Sequence, residues 1–376
     1  MRTHHYLRNP RYHCRGFSMV ELMVALVITL ILLAGIGQIF LSSKKSFVIQ
    51  NALGRIQENG RYAMDVLASD LRRAGYWGGN ADVTKIDGTL GLYTDPGTDP
   101  KDNISTEACA DASIWARMLS RGVYGLDLSG SEKPSDSGKD YSCIKDAGAT
   151  PYVRGDVLLA RYAHQSAIGS ITKPLPCTNK PAPNTTIKDC YPDEYFLRSS
   201  LFRGRLFQGK DSELTDNNLV APAIRTAELV AHAYYIGTSS SASACPADGA
   251  VPSLFRVTLV NGVFTAEEIA YGVDNLQVKY GVDTSSPPDG VIDRYYDADE
   301  IDIGPPPDPP LSPPPPYWQD VVAARVWLLV RAECPETGYT NSNTYAMGEP
   351  YTPVDTANRG YRRKLYTSTV KLRNSR

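Results

Sequence analysis

The chain has no C-x-x-C pair, no phosphate-binding G-x-x-x-x-G-K-[ST] loop, no G-x-G-x-x-G turn, no H-E-x-x-H and no G-x-S-x-G. Their absence removes the usual sequence marks of zinc or thiol-redox sites, of nucleotide cradles and zinc hydrolases, and of serine hydrolases. Histidine is scarce. Of five, His4, His5 and His13 fall within the first sixteen residues, leaving His164 and His232. His232 stands in an apolar stretch, where a histidine is ordinarily a structural residue and not a base. The serine-rich "GTSSSASA" reads as a loop. An enzyme is therefore not expected. An excess of positive charge is missing as well. The formal net charge is −2, and residues 1–16 hold four arginines and no acid, so the remainder carries −2 − 4 = −6. That balance gives no support for nucleic-acid binding. No repeat of solenoid length is present.

What is abundant is glycine (30), proline (27) and tyrosine (23), which favours a loop-rich β body. Seven cysteines are scattered along the chain, six of them beyond the N-terminal apolar run: Cys109, Cys143, Cys177, Cys190, Cys245 and Cys334. An even, loop-borne set points to disulfides in an oxidising compartment. Many pairings are open. Joining sequence neighbours gives Cys109–Cys143, Cys177–Cys190 and Cys245–Cys334, with free buried thiols as the alternative.

From Leu22 to Phe40 only Thr29 and Gln38 are polar. Nineteen residues of helix span about 28 Å, one hydrocarbon thickness. Arg2, Arg8, Arg11 and Arg15 precede the run, which keeps that end cytoplasmic and places the body across the inner membrane. A secretory signal would put an A-x-A-like cleavage site after the run, and "AGIG" is a poor version of one. Glu21, near the start of the run, costs about 2.5–3.5 kcal/mol if left unpaired at a bilayer centre, and less at its edge. The bland alternative is an interfacial acid favoured by the helix dipole. The apolar stripe continues through Ile49, Leu53, Ile56, Gly60, Ala63, Met64, Leu67, Leu71 and Ala74 at alternating three- and four-residue steps. One helix from about Ser18 to Ala74 is predicted, about 85 Å long. Gly75, Gly78 and Gly79 end it, and Gly35 and Gly37 weaken it locally.

The stretch "RGFSMVELMVAL" resembles the type IV prepilin signal. That resemblance implies cleavage by a prepilin peptidase between Gly16 and Phe17 and methylation of the Phe17 amine. It also implies pairing of Glu21 with an N-terminal amine inside a filament. "RIQENGRYAMDVLASDLRRAGYWGG" (Arg55 to Gly79), "YGVDNLQVKYGVDT" (Tyr271 to Thr284) and the C-terminal "VVAARVWLLVR…RRKLYTSTVKLRN" resemble the PilW group of minor pilins. The fold expected is then α+β and pilin-like, with a long N-terminal helix packed on a large antiparallel β body whose loops are pinned by disulfides. The expected divisions are a leader (1–16), an anchor and filament-core helix (17–41), an amphipathic half (42–75) and a β-rich domain (76–376) with a proline-rich insertion at 304–316. The resemblance further implies other minor pilins, the major pilin and a PilY-type tip adhesin as partners. It implies the inner membrane and then the pilus as locations.

Strands are predicted at Asp156–Ala163, Glu228–Gly237, Ser253–Val260, Val263–Ala270, Asn275–Val282, Val321–Ala332 and Lys364–Leu372, with Asn261-Gly262 as a type I′ hairpin turn. Residues 80–150 and 165–220 read as loops. An acidic cluster including Asp283, Asp289 and Asp293 supplies hard oxygen ligands of the kind calcium takes, against a solvated hairpin turn. PilW-like sequences resemble a calcium loop at this point, but Ser285-Ser286-Pro287-Pro288 departs from their compact turn. Two other readings stay open: a type II secretion pseudopilin of the GspJ kind, and a membrane-anchored calcium-dependent adhesin.

Overall fold

The computed structural model describes residues 16–80, 83–87, 119, 121–128, 143–144, 151–167, 187–211, 225–240, 245, 251–301, 316–353 and 359–374. The leader, Cys109, Cys177 and nearly all of the proline-rich insertion lie outside the described residues.

Helix α1 runs Met19–Arg73 without a break, through Gly35 and Gly37. Residues 1–53 and 54–376 form two compact units. In the second unit α1 buries Ile56, Gly60, Ala63, Leu67, Ala68, Asp70 and Leu71, which keeps most of the predicted stripe, leaves Met64 half-buried and adds Ala68 and one acid, Asp70. Burial of Ile56, Leu67 and Leu71 contributes about 1.5–3 kcal/mol each. The helix stops at Gly75, whose φ of 75° is costly for any residue with a Cβ. Its N–H bonds the Arg161 carbonyl at 2.9 Å, turning the chain onto the sheet.

The β body holds two main sheets. The larger is built from β1 (Ile86–Asp87), β2 (Val123–Leu126), β3 (Tyr152–Ala167), β4 (Tyr195–Ser199), β5 (Gly204–Gln208), β6 (Arg225–Thr238), β7 (Pro252–Val260) and β8 (Val263–Tyr271). Their order is β1-β5-β4-β6-β3-β2, with β7 also on β6 and β8 on β7. All these pairings are antiparallel except β1 with β5. The second sheet has the order β10-β9-β11-β14, from β9 (Val273–Val282), β10 (Arg294–Tyr296), β11 (Val321–Arg331) and β14 (Arg363–Lys371). A small hairpin, β12 (Tyr345–Met347) and β13 (Glu349–Tyr351), forms its own two-stranded ladder and is contacted by Arg154 of β3 through Tyr351 (2.7 Å). One short helix, α2, covers Ile187–Cys190.

The seven predicted strands are β3, β6, β7, β8, β9, β11 and β14. Asn261 (φ 50°) and Gly262 (φ 73°) make the β7–β8 turn with both central residues at positive φ, as a type I′ turn requires. The reading of 80–150 and 165–220 as loops is corrected: β2, β4 and β5 lie there, with the burial of interior strands.

Strand β9 packs against β3, β6 and β7 and joins the two sheets. Two buried acids stitch this contact. Asp156 on β3 accepts the Val278 N–H of β9 at 2.7 Å and the Leu128 N–H at 3.4 Å. Burial, and Asp127 nearby, push its carboxyl well above the usual range. Asp274 on β9, fully buried, is held by Arg363 Nε at 2.7 Å, with Arg154 at 3.6 Å. Cys245, between β6 and β7, is bonded to Cys334, just past β11 (Cα–Cα 5.7 Å). Cys143 and Cys190 are disulfide-bonded as well.

Candidate functional site

The N-terminal half of α1 has the most unusual surface of the described chain. Each large apolar side chain from Phe17 to Leu41 is more than half exposed. Soluble chains do not leave that much continuous apolar surface in water. Among the described residues α1 is the one helix long and apolar enough to cross a membrane. Thr29 satisfies its own hydroxyl on the Ala25 carbonyl (2.7 Å), so it makes no polar demand on its surroundings. Gly16 and Phe17 precede the first turn, and Phe17 is 82% exposed. Glu21 lies in that turn and reaches back toward the Ser18 N–H (3.5 Å), where a carboxylate meets the unpaired N–H groups of a helix start.

The C-terminal half of α1 is fastened to both sheets. Near its end, Asp70 is 4% exposed and faces β3 and β6. The Tyr162 hydroxyl donates to its Oδ1 at 2.9 Å and the Tyr234 hydroxyl to its Oδ2 at 2.5 Å. His232 Nδ1 pairs with the same Oδ2. Burial raises the Asp70 carboxyl, but the His232 pair and the two tyrosine bonds outweigh it and hold the group below the ordinary aspartate range. Burial and the adjacent carboxylate push both tyrosines up, so they remain donors. His232 thus serves the attachment of the helix, which is the structural role its apolar strand implied. Asp70 itself is missing from the sequence-based candidates. The signal was present: it lies three residues after Leu67 and four before Ala74, inside the apolar stripe.

Against the second sheet, Tyr366 on β14 donates to the Ile56 carbonyl (3.1 Å). Asn59 donates to the Tyr271 carbonyl (2.8 Å), and Arg55 pairs with Glu333 at 2.9 Å. Asn374 Nδ2 donates to the carbonyls of Arg73 and Ala74 at 3.2 Å each, and the Tyr76 N–H also reaches the Arg73 carbonyl (3.0 Å), closing the helix end. Gly60 allows the close approach of β14. A Cβ there would overlap the Tyr366 ring. Gly60→Ala is therefore expected to destabilise the body by about 1–3 kcal/mol through overpacking. That outweighs the gain in helix propensity of about 1 kcal/mol. Urea unfolding followed by tryptophan fluorescence measures it, and a variant as stable as wild type would refute the close-packing account.

The three aspartates proposed for calcium lie in one turn, between β9 and β10. Among the described residues no group of three acidic, histidine or cysteine side chains is placed to hold a metal ion. Asp283 accepts the N–H groups of Ser285 (3.0 Å) and Gly290 (2.6 Å). Asp293 accepts from Thr284 N–H (2.7 Å) and hydroxyl (2.9 Å), and Asp289 from Val291 N–H (2.8 Å). Each of the three carboxylates thus accepts from at least one donor of the turn itself.

An exposed apolar half-helix, continued into an amphipathic half that docks on an antiparallel β body, is the architecture of a type IV pilin-like subunit. Residues 11–37, spanning Gly16, Phe17 and Glu21, match the family model of the prokaryotic N-terminal methylation motif. The match and the apolar half of α1 fall on the same residues, as in a membrane-anchored, pilin-like component. A second similarity is to the PilW family: the family model of type IV pilus-assembly protein W matches residues 233–374, from within β6 to just past β14. Among solved structures, a type IV-like pilin from Thermus thermophilus matches with 12% identity over 60% of this chain and 83% of that one, at a TM-score of 0.24. No curated protein sequence matches the chain.

Proposed function

We propose that the chain is a minor pilin of a type IV pilus system, acting in the priming of pilus assembly and in the complex at the filament tip. The observation that carries this reading is the exposed apolar half of α1, headed by Gly16-Phe17 and Glu21 within the matched methylation motif. Prepilin peptidase cuts after Gly16 and methylates the Phe17 amine. The apolar helix first anchors the subunit in the inner membrane with the β body on the periplasmic side. It then passes into the helical core of a filament, where the surrounding helices replace lipid. Glu21, buried by that step, meets the Phe17 amine of a neighbouring subunit or of its own chain, which removes the cost of an unpaired acid in an apolar core. The partners are the major pilin and other minor pilins, with a PilY-type adhesin displayed by the complex. The work is packing and recognition, without turnover.

Intact mass and N-terminal sequencing of the protein from its own membranes test the reading, with and without the peptidase. The expected result is a chain starting at N-methyl-Phe17 that reverts to the longer form when the peptidase is absent. A chain that keeps its leader in the presence of the peptidase, or starts after Gly37, would overturn it.

A further inference from the structure

Among the described residues the second sheet ends in an open edge. Strand β14 pairs with β11 on one side only. The bond from Leu372 N–H to the Val322 carbonyl (2.9 Å) sets the phase of the antiparallel ladder. In that phase Tyr366, Ser368 and Val370 spend their backbone groups on β11, while Thr367, Thr369 and Lys371 turn theirs outward. Among the described residues these outward groups have no backbone partner. An edge is usually blunted by proline, a bulge or charge along its length. Here β14 and β11 pair in unbroken register from Ala323↔Lys371 to Arg331↔Arg363, and the middle of the edge carries neutral threonines.

A groove of about 460 Å³ opens at the end of this same edge, lined among others by Arg72 of α1, Gly290, Val322, Thr369, Lys371 and Arg373. Its charged lining is wholly cationic. Lys371 Nζ reaches only the Gly290 carbonyl (3.3 Å). Among the described residues neither it, Arg72 nor Arg373 is ion-paired with a carboxylate. Outward backbone donors and acceptors at two-residue spacing, running into a concave cationic pocket, match what an added strand with acidic side chains presents.

We propose that the β14 edge and this groove form one docking site, which takes an extended acidic segment of a partner protein by strand addition. Its backbone pairs with Thr367, Thr369 and Lys371, and its carboxylates meet Arg72, Lys371 and Arg373. The inference rests on the β body and the last turn of α1, not on processing of the N-terminus, and goes beyond the assembly reading above, so either can fail without the other.

The test is fluorescence anisotropy on the full chain in detergent, using a short labelled peptide of alternating glutamate and valine. A lysine–valine peptide is the charge control. The glutamate peptide methylated at alternate backbone nitrogens is the strand-pairing control. The glutamate–valine peptide is expected to bind with Kd below about 1 mM, more weakly as salt rises. Neither control peptide should bind in that range. Arg72→Glu combined with Arg373→Glu is expected to weaken binding by about tenfold or more. Equal binding of the two charge types, absence of binding, retention of binding by the methylated peptide, or an unaffected charge-reversal variant each overturns the proposal. So does self-association of the chain through this edge, which would assign it to a second copy.

Discussion

Replacing Asp70 with alanine is expected to lower the stability of the β body by about 3–5 kcal/mol, the cost of removing one partner from a buried, hydrogen-bonded charge cluster. The size follows from what is left behind. The Tyr162 and Tyr234 hydroxyls and His232 Nδ1 all lose their acceptor in a place that water does not reach. Each orphaned buried donor costs about 1–3 kcal/mol. Apolar contacts of α1, such as Leu67 and Leu71, survive the change, so the helix stays docked but its end is loosened. Asparagine keeps the shape and one acceptor, and its cost should be smaller than that of alanine. The pH dependence carries a sign. Burial raises the Asp70 carboxyl, and the histidine and tyrosine partners more than reverse this, leaving it below its ordinary value. A group with a depressed folded pKa contributes stability that is fully present above its unfolded value of about 4 and is lost as the pH falls through the folded value. The groups facing it are His232, Tyr162 and Tyr234, with Arg73 and Arg256 behind the two tyrosines. Wild type should thus lose stability on acidification below about pH 4, and Asp70→Ala should show a shallower loss over the same range. Urea unfolding of both proteins across that range decides it. Parallel profiles for the two, or a cost at neutral pH under about 1 kcal/mol, would show that the cluster is not the latch.

The long helix was legible in the sequence because two periodic signals, an unbroken apolar run and a stripe at three- and four-residue steps, are local. The seven strands predicted were long or alternating enough to show as well, and Asn261-Gly262 needs no distant partner to specify its turn. What failed was non-local. "VYGL", "YFLRS" and "GRLFQ" are short strands set among glycine, proline and aspartate. Their strand character comes from pairing with distant strands, β2 with β3, β4 with β6, and β5 with β4. Asp70 meets partners 92, 162 and 164 residues away, so an acid on an apolar stripe was visible but its purpose was not. The open edge of β14 depends on strand order, which no local pattern encodes.

Removing the Cys245–Cys334 bond, with serine at both positions, is expected to cost about 4–5 kcal/mol under non-reducing conditions. The bond closes a sequence separation of 89 residues, and the chain-entropy relation gives about that value for a loop of this length. The loss is chiefly a gain in freedom of the unfolded chain, so the folded contacts need change little. A smaller folded-state effect is added at one place. Cys334 holds a segment in which Glu333 pairs with Arg55 of α1 and Glu336 bonds Arg362 at 2.6 Å. The Arg55 side chain is 64% exposed, so that ion pair contributes no more than about 1 kcal/mol by itself. Its value as a contact depends on the backbone of 333–336 being fixed. Arg55→Ala should therefore cost less in the double-serine background than in wild type, a coupling that a double-mutant cycle reads directly. Because Cys143 and Cys190 are also bonded, adding reductant to wild type must destabilise it beyond the double-serine variant. Equal stability of reduced wild type and the non-reduced variant would place all the covalent stabilisation in the single Cys245–Cys334 bond. A double-serine variant within about 1 kcal/mol of wild type would show that the unfolded chain is already held compact without it.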